Sequence, residues 1–430
     1  MKKHLLKITA LSIMFISAVN AQDGTFNNGS GDGLWGTAAN WAPAGVPTGI
    51  ATLSANPTVS AAATVVKIIA QAPTGDRIIS GTGELTINGS TTGQMIQANL
   101  TDGALIFNNK VTINTTSAQN IDTKFTANNK LVFSSTSTLN LLQTAKLRNY
   151  SVNPTEFNGV LMGTGTLTVS STTTNPGTGN VVFGSTANNA TFAGSILTFT
   201  QEIVSNIISP QVFLPTDATM LFNSTGGTLT LNGANTMQGK INRSAGATAG
   251  TSIVNFNANQ TNMGLLLMSG SASPVLKFVI NGSVSNLTFS STSPDWGTGT
   301  LDIVGFKDDV LTIGGTSLTT DQLNAITLNG VAQTAGYFSQ RANGFIVKTT
   351  SLGVKENTLE GVSIYPNPAT DVLNVTAPEG SIIEIYNTLG AIVKTAKETN
   401  LVPVSDLASG LYLVKVSKNG QFYQDKIVKK

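Results

Sequence analysis

The chain predicts an all-β protein, a parallel β-solenoid body followed by a small antiparallel β-sandwich. Three observations carry that prediction. The first is a series of short runs that alternate polar and apolar side chains and are bounded by Gly, Asn or Ser: Glu84–Ile87, Lys110–Ile113, Lys130–Phe133, Thr166–Val169, Asn180–Phe183, Thr228–Leu231 and Thr300–Ile303. Period-two alternation between turn residues marks short strands joined by tight turns. The second is the near absence of helical periodicity. Only Thr319–Ala325 fits a helix, with Thr319 or Thr320 placed to cap a single turn before Gln322 and Leu323. The third is composition. Charged residues make up 11% of the chain, against about 25% in an ordinary globular protein. Stacked coils suit such a sequence, because they bury one side chain in two and pair each backbone group with the coil above and below.

Taken in order, the chain opens with a secretory signal peptide, residues 1–21. Lys2, Lys3 and Lys7 form a basic start, Leu11 to Val19 is mostly apolar, and Val19-Asn20-Ala21 supplies small residues for cleavage between Ala21 and Gln22. The apolar stretch is shorter than the roughly 20 residues of a membrane span. No transmembrane span is expected in the mature chain, whose route out of the cell passes through the periplasm. Loss of Lys2, Lys3 and Lys7 leaves 21 basic against 22 acidic residues, a net charge of −1. No basic patch suggests nucleic acid. The single histidine, His4, leaves with the signal, and there is no cysteine. This excludes Ser-His-Asp and Cys-His hydrolases, histidine-ligated zinc and copper, and disulfide stapling. Carboxylate, Lys, Arg or Tyr chemistry and oxygen-ligand metals such as calcium stay open.

The body, residues 22–349, repeats loosely. Gly-Thr-Gly-x-Leu-x-Ile/Val begins at Gly81, Gly163 and Gly297, and Gly226–Leu231 is a near relative. Uneven spacing points to degenerate coils and not to a strict array. Gly227–Thr236, followed by Gly239 and Ile241, resembles the autotransporter-associated β-strand repeat. Leu34–Trp41 with Gly45-Val46-Pro47, and Trp296–Ile303 with Leu318–Ile326, are similar to the ends of such passengers. The resemblance implies a right-handed parallel β-helix. Solenoid ends are exposed sheet edges that need covering. The segments at 34–47 and 296–346, which hold Trp35, Trp41 and Trp296, are the expected caps.

A polar linker, residues 350–358, leads to a C-terminal unit, residues 359–430. Here Tyr365-Pro366-Asn367-Pro368 follows an alternating run. Ile383–Asn387 precedes Gly390, Leu407–Val416 contains Gly410 and Tyr412, and the chain ends on Lys429-Lys430. Asn387–Gly390 and Lys418-Asn419-Gly420 read as hairpin turns. The order and spacing resemble the type A C-terminal sorting domain of the type IX secretion system of Bacteroidetes. That implies export across the outer membrane, with the translocon and a sortase as partners and cleavage near 350–360. By the resemblance Tyr365, Pro366, Asn367, Pro368, Tyr386, Gly390, Gly410, Tyr412, Lys429 and Lys430 are recognition residues, and each also suits a turn or core position.

Other candidates have plainer readings. Asp308-Asp309 can serve a glycosidase or calcium but suits an exposed turn. Asn27–Gly33 has the composition of a calcium loop with too few carboxylates for the EF-hand pattern. Trp35, Trp41 and Trp296 can stack on sugars or close a solenoid end. Thr166-x-Thr168 and Thr228-x-Thr230 can line an ice- or polysaccharide-binding array or simply reflect the β-propensity of Thr. No catalytic residue or bound cofactor is assigned. The expected function is a secreted or outer-membrane surface solenoid, structural or adhesive, that meets a glycan, host or mineral surface. The alternatives are a carbohydrate-active β-helix lyase or glycosidase, and a glycan- or ice-binding module.

Overall fold

The computed structural model describes residues 21–72, 74–90, 93–123, 128–170, 180–223, 226–244, 250–269, 273–349, 359–397 and 400–430. The chain divides into two compact units, Met1–Thr349 and Thr350–Lys430.

In the first unit the alternating runs are strands, and their apolar members point inward. In Asn128–Phe133, Leu131 and Phe133 are buried while Lys130 and Val132 are half-buried. Each strand pairs in parallel with its counterpart one coil away, so that Val111 lies between Leu85 and Leu139. The product is a β-solenoid of about 11 turns. Among the described residues the first sheet has 14 strands, from Trp41–Ala42 to Leu311–Ile313, and the second has 12, from Arg77–Ile79 to Val331–Ala332. The third has 5, from Ala63–Val65 to Val160–Gly163. Coils after Ser170 therefore present two strands each. Among the described residues their third side shows single bridges, such as Gly163 with Phe192 and Leu214 with Met237.

Parallel pairing stacks like on like. Phe107, Phe133, Phe157 and Phe183 form an internal column with ring centroids 5.2, 5.0 and 5.0 Å apart. Those distances match the strand spacing of about 4.8 Å and lie within the favourable range for offset aromatic pairs. Buried amides at the corners reach the neighbouring coil. Asn109 donates to the Gly83 carbonyl at 3.2 Å, Asn189 to that of Phe213 at 3.0 Å, and Gln260 to that of Gly233 at 2.7 Å. Each satisfies a carbonyl that a bend in the chain would leave unpaired.

The Gly-Thr-Gly segments do not occupy equivalent places in successive coils. They precede strands of the third sheet (Leu85–Ile87), the first (Thr166–Ser170) and the second (Thr300–Val304). What they share is a sharp corner. Gly163 has φ +98°, and a Cβ there would lie 2.2 Å from the Leu141 carbonyl. The motif marks a corner pressed against the coil below, whichever corner that is.

At the start of the stack, Trp41–Ala42 turns back antiparallel on Gly24–Phe26. Trp35 and Trp41 are both 2% exposed, with ring centroids 4.8 Å apart in an edge-on arrangement. At the other end Val331–Ala332 runs antiparallel to Ile326–Leu328, and Phe338–Gln340 forms a hairpin with Ile346–Lys348. Between them the helix Thr320–Asn324 opens on a capping box. The Gln322 N–H donates to the Thr319 hydroxyl, and the Thr319 N–H donates to the Gln322 side chain.

The second unit is a sandwich of a three-stranded and a four-stranded antiparallel sheet. Leu373, Val375 and Val402 from one sheet meet Ile383, Ile385, Val414 and Val416 from the other in a single core. Both expected hairpin turns are present. Gly390 has φ +80°, and Asn419 and Gly420 have φ +48° and +81°, the pair of positive angles that a type I′ turn needs.

Candidate functional site

The body's sequence candidates are occupied by structure. Asp309 pairs with Arg341, and Asp308 accepts the Lys348 N–H at 2.8 Å, so this acidic turn ties down the last hairpin. In the Asn27–Gly33 loop, Asp32 accepts the Leu34 N–H at 2.9 Å, the Thr37 hydroxyl at 2.7 Å and the Asn40 amide at 2.5 Å. The Leu34 N–H first, then the two side chains, hold its carboxyl at about 2. Among the described residues no three His, Cys, Asp or Glu side chains gather into a metal site. All three tryptophans are buried, Trp296 to 1% exposure with its N–H on the Thr292 hydroxyl. None can stack on a sugar. The threonine runs take their plainer reading. Thr168 is followed across the sheet by Leu197, and Thr230 lies between Val204 and Asn255. Coils that differ in sequence break the column, so neither run extends into a flat hydroxyl lattice among the described residues.

Sequence reading missed a cluster on the first sheet. Asp122 and Arg148, side by side on adjacent strands, form a two-pronged ion pair, with Nε to Oδ1 at 2.7 Å. The hydrogen bond to Asp122 raises the Arg148 pKa further. The guanidinium also lies 5.4 Å from the Tyr150 ring centre. A shallow groove of about 230 Å³ opens here, lined by Gln94, Gln97, Asn99, Asp122 and Tyr150. Nothing in the local sequence joins Gln97 to Arg148. Only parallel register sets Gln97, Asp122 and Arg148 in one file.

In the second unit the motif residues divide into two groups. Asn367 fastens the last strand, Gln421–Lys429. Its amide donates to the Lys426 carbonyl at 2.8 Å and its oxygen accepts the Val428 N–H at 2.9 Å. The flanking Ala369 donates its N–H to the Val428 carbonyl, and its carbonyl accepts the Lys430 N–H. The Pro366-Asn367-Pro368 turn thus covers the edge of the four-stranded sheet, where unpaired backbone groups would otherwise face water. Gly410 pairs with Lys429, which is 9% exposed, and Tyr365 is 53% exposed. The second group, Tyr386, Gly390 and Tyr412, meets around a largely apolar groove of about 360 Å³ that also includes Leu411 and Lys426. The Tyr386 hydroxyl donates to Glu384 at 2.8 Å, which raises its pKa, and the Tyr412 hydroxyl donates to the Ala408 carbonyl.

Residues 363–430 match the secretion system C-terminal sorting domain. This unit is a type IX sorting domain. Such a domain implies export by the type IX system, to the cell surface or into the medium, and a secretion-system partner. No curated protein matches the chain. A solved structure of PorZ, an essential bacterial surface component of the type-IX secretion system of Porphyromonas gingivalis, is 23% identical over 21% of this chain, with a TM-score of 0.16. The similarity spans 14% of the PorZ chain and carries no argument about the body. The motif residues of this unit lie in a strand clasp and around an apolar groove. The signal residues 1–20 and the linker 350–358 lie outside the described residues. No helix among the described residues is long and apolar enough to cross a membrane.

Proposed function

We propose that the chain is a secreted or surface-held solenoid with a structural or adhesive role. The observation that carries this reading is the joining of a β-solenoid to a sorting domain. The body's charges support it. Glu84 pairs with Lys110 at 2.9 Å, Glu156 with Lys130 at 2.5 Å and Asp302 with Lys277 at 3.1 Å, each across neighbouring coils. Acids used to tie coil to coil serve a scaffold. A glycosidase needs two carboxylates flanking one bond, and these pairs give each carboxylate a cation instead.

In this reading residues 1–21 are the leader, 22–349 the working body, 350–358 the linker and 359–430 the sorting domain. The Trp35/Trp41 segment and the last two hairpins cap the stack. Gln22 suits the first mature position, because its carbonyl accepts the Thr48 and Gly49 N–H groups at 3.0 and 2.8 Å. The motif residues Tyr365 to Pro368, Tyr386, Gly390, Gly410, Tyr412, Lys429 and Lys430 present the sorting domain to the translocon and sortase.

The test is loss of the gene, scored by adhesion, biofilm formation and binding of the purified chain to glycan, host and mineral surfaces. Reduced adhesion in the mutant, with binding by the purified chain, is the expected outcome. No change in any of these would overturn the adhesive role.

A further inference from the structure

The solenoid's faces differ in charge in a way the near-neutral total hides. Among the described residues, the strands of the first sheet carry five bases, Lys67, Lys146, Lys240, Arg148 and Arg243, against one acid, Asp122. The strands of the second sheet carry three bases and four acids. On the first sheet Arg243 is buried, and the other four bases are half-buried on the outer side.

Three of those four lie within four neighbouring strands. Lys67, Lys146 and Arg148 lie on Lys67–Ala72 and Ala145–Arg148, separated in the sheet by Gln94–Leu100 and Gln119–Thr123. The Gln97–Asp122–Arg148 file runs beside a second file, Gln94–Asn120–Lys146. A register shift between Asn120 and Ile121 leaves Met95 and Ile96 both buried and turns Gln94 outward. Such bulges re-aim side chains at functional places. The 230 Å³ groove is lined by Gln94, Gln97, Asn99, Asp122 and Tyr150. Arg148 stands beside it, bonded to Asp122 and 5.4 Å from the Tyr150 ring centre, and Lys67 and Lys146 lie on the flanking strands. Asp122 fixes the plane of the Arg148 guanidinium without neutralising the patch. Neither Lys67 nor Lys146 has an ion-pair partner among the described residues. Burial lowers the Lys67 pKa, and the nearby Asp122 offsets part of that. A partly desolvated ammonium gains more from an anion than one fully in water, because it is screened less.

We propose that this face binds an anionic glycan, successive uronate carboxylates or sulfate esters meeting Arg148 beside the groove and Lys67 and Lys146 on the flanking strands, while Gln94, Gln97 and Asn99 take ring hydroxyls. The inference deepens the adhesive reading and rests on it. The groove is too shallow to enclose a ligand, so it suits an internal unit of a chain lying along the sheet. Tyr150 supplies an apolar face for one ring.

The experiment measures binding of the full-length secreted chain to polygalacturonate, chondroitin sulfate, neutral dextran and single-stranded DNA, at low and high salt. Binding to polygalacturonate alone identifies a uronate site, and binding to chondroitin sulfate alone or to both identifies one that takes sulfate. Either supports the groove, provided the double variant Lys67→Gln/Lys146→Gln weakens it about tenfold or more, a difference of roughly 1.4 kcal/mol, at unchanged melting temperature. Arg148→Lys keeps the charge and should weaken binding less than the double variant does. Lys130→Gln/Lys277→Gln on the second sheet should have no effect. Equal binding by the Lys67/Lys146 variant, equal binding of DNA, or binding of dextran alone overturns the groove and leaves the adhesive role standing. Failure of the unsubstituted chain to bind any surface or glycan overturns both.

Discussion

The two units meet water in opposite ways. Through Thr349 the described residues include five exposed large apolar side chains: Leu34, Leu142, Val152, Ile208 and Val331. The much smaller second unit has nine, among them Leu389 at 91%, Leu401 at 57% and Ile392 at 52% exposure. The solenoid closes on itself, so its apolar side chains face a continuous interior, and its outer side chains join polar ladders from coil to coil. Asn232 bridges Asn206 and Asn257 at 2.7 Å each, and Thr230 links Glu202 to Asn255. The sorting domain has two small sheets and one thin core. A domain of that size buries a smaller share of its surface. The difference is that between a closed stack and a thin two-sheet sandwich.

Several changes would break or sharpen that contrast. The largest effect is expected from ending the chain before Leu411. That removes Gln421–Lys429 and nearly all of Gly410–Lys418, half the strands of the four-stranded sheet. Cell fractionation should find the truncated protein in the periplasm, and its arrival at the surface would refute the sorting role. In the body, Phe133→Ala opens a hole in the middle of the phenylalanine column. Denaturant unfolding should show a loss of about 3–5 kcal/mol, and a loss below about 1 kcal/mol would mean the column is not a main support. In the sorting domain, Asn367→Ala removes both side-chain bonds to the last strand. With each bond worth roughly 0.5–1.5 kcal/mol, the loss should be smaller than at Phe133. Hydrogen exchange at the Val428 amide should speed up first.

The smallest effect is one of pH. Asp32 is held at about 2, whereas a free carboxylate titrates near 3.9, or about 4. A depressed folded-state value means its stabilisation is complete above about pH 4 and fades as pH falls towards 2. Asp302 shifts the same way. Burial opposes its ionisation, but the Gly330 N–H, the Thr327 hydroxyl and Lys277 outweigh burial. Melting curves from pH 5 to pH 2 should show Asp32→Asn flattening the acid slope slightly. An unchanged slope would show that the loop opens before Asp32 protonates.

Much of the fold was legible in the chain itself. Strand runs such as Lys110–Ile113 and Thr166–Val169 announce themselves, because period-two burial is a local property. So do the Asn419-Gly420 turn and the Thr319 cap. The phenylalanine column was not read from the chain, although Phe107, Phe133, Phe157 and Phe183 recur after 26, 24 and 26 residues. The Gly-Thr-Gly segments, which fall at different corners, hid that period. The Gly-Thr-Gly segments misled in one respect, since they mark corners and not repeats. The Trp residues gave no sign of which way they point, and burial decided it. The tail motif was readable as a pattern, but Asn367 as a clasp depends on a strand about sixty residues on.

By itself the sequence determined the class of structure, the lack of cysteine and of any histidine beyond His4, and the presence of a sorting signal. These depend on residue identity and short-range spacing. Only the tertiary structure decided which side chains share a file across coils: Gln97 with Asp122 and Arg148, and Glu84 with Lys110. The reason is physical. In a parallel solenoid each residue's neighbours are one coil away in sequence. Coil lengths vary, so contact is set by register, which no local pattern encodes.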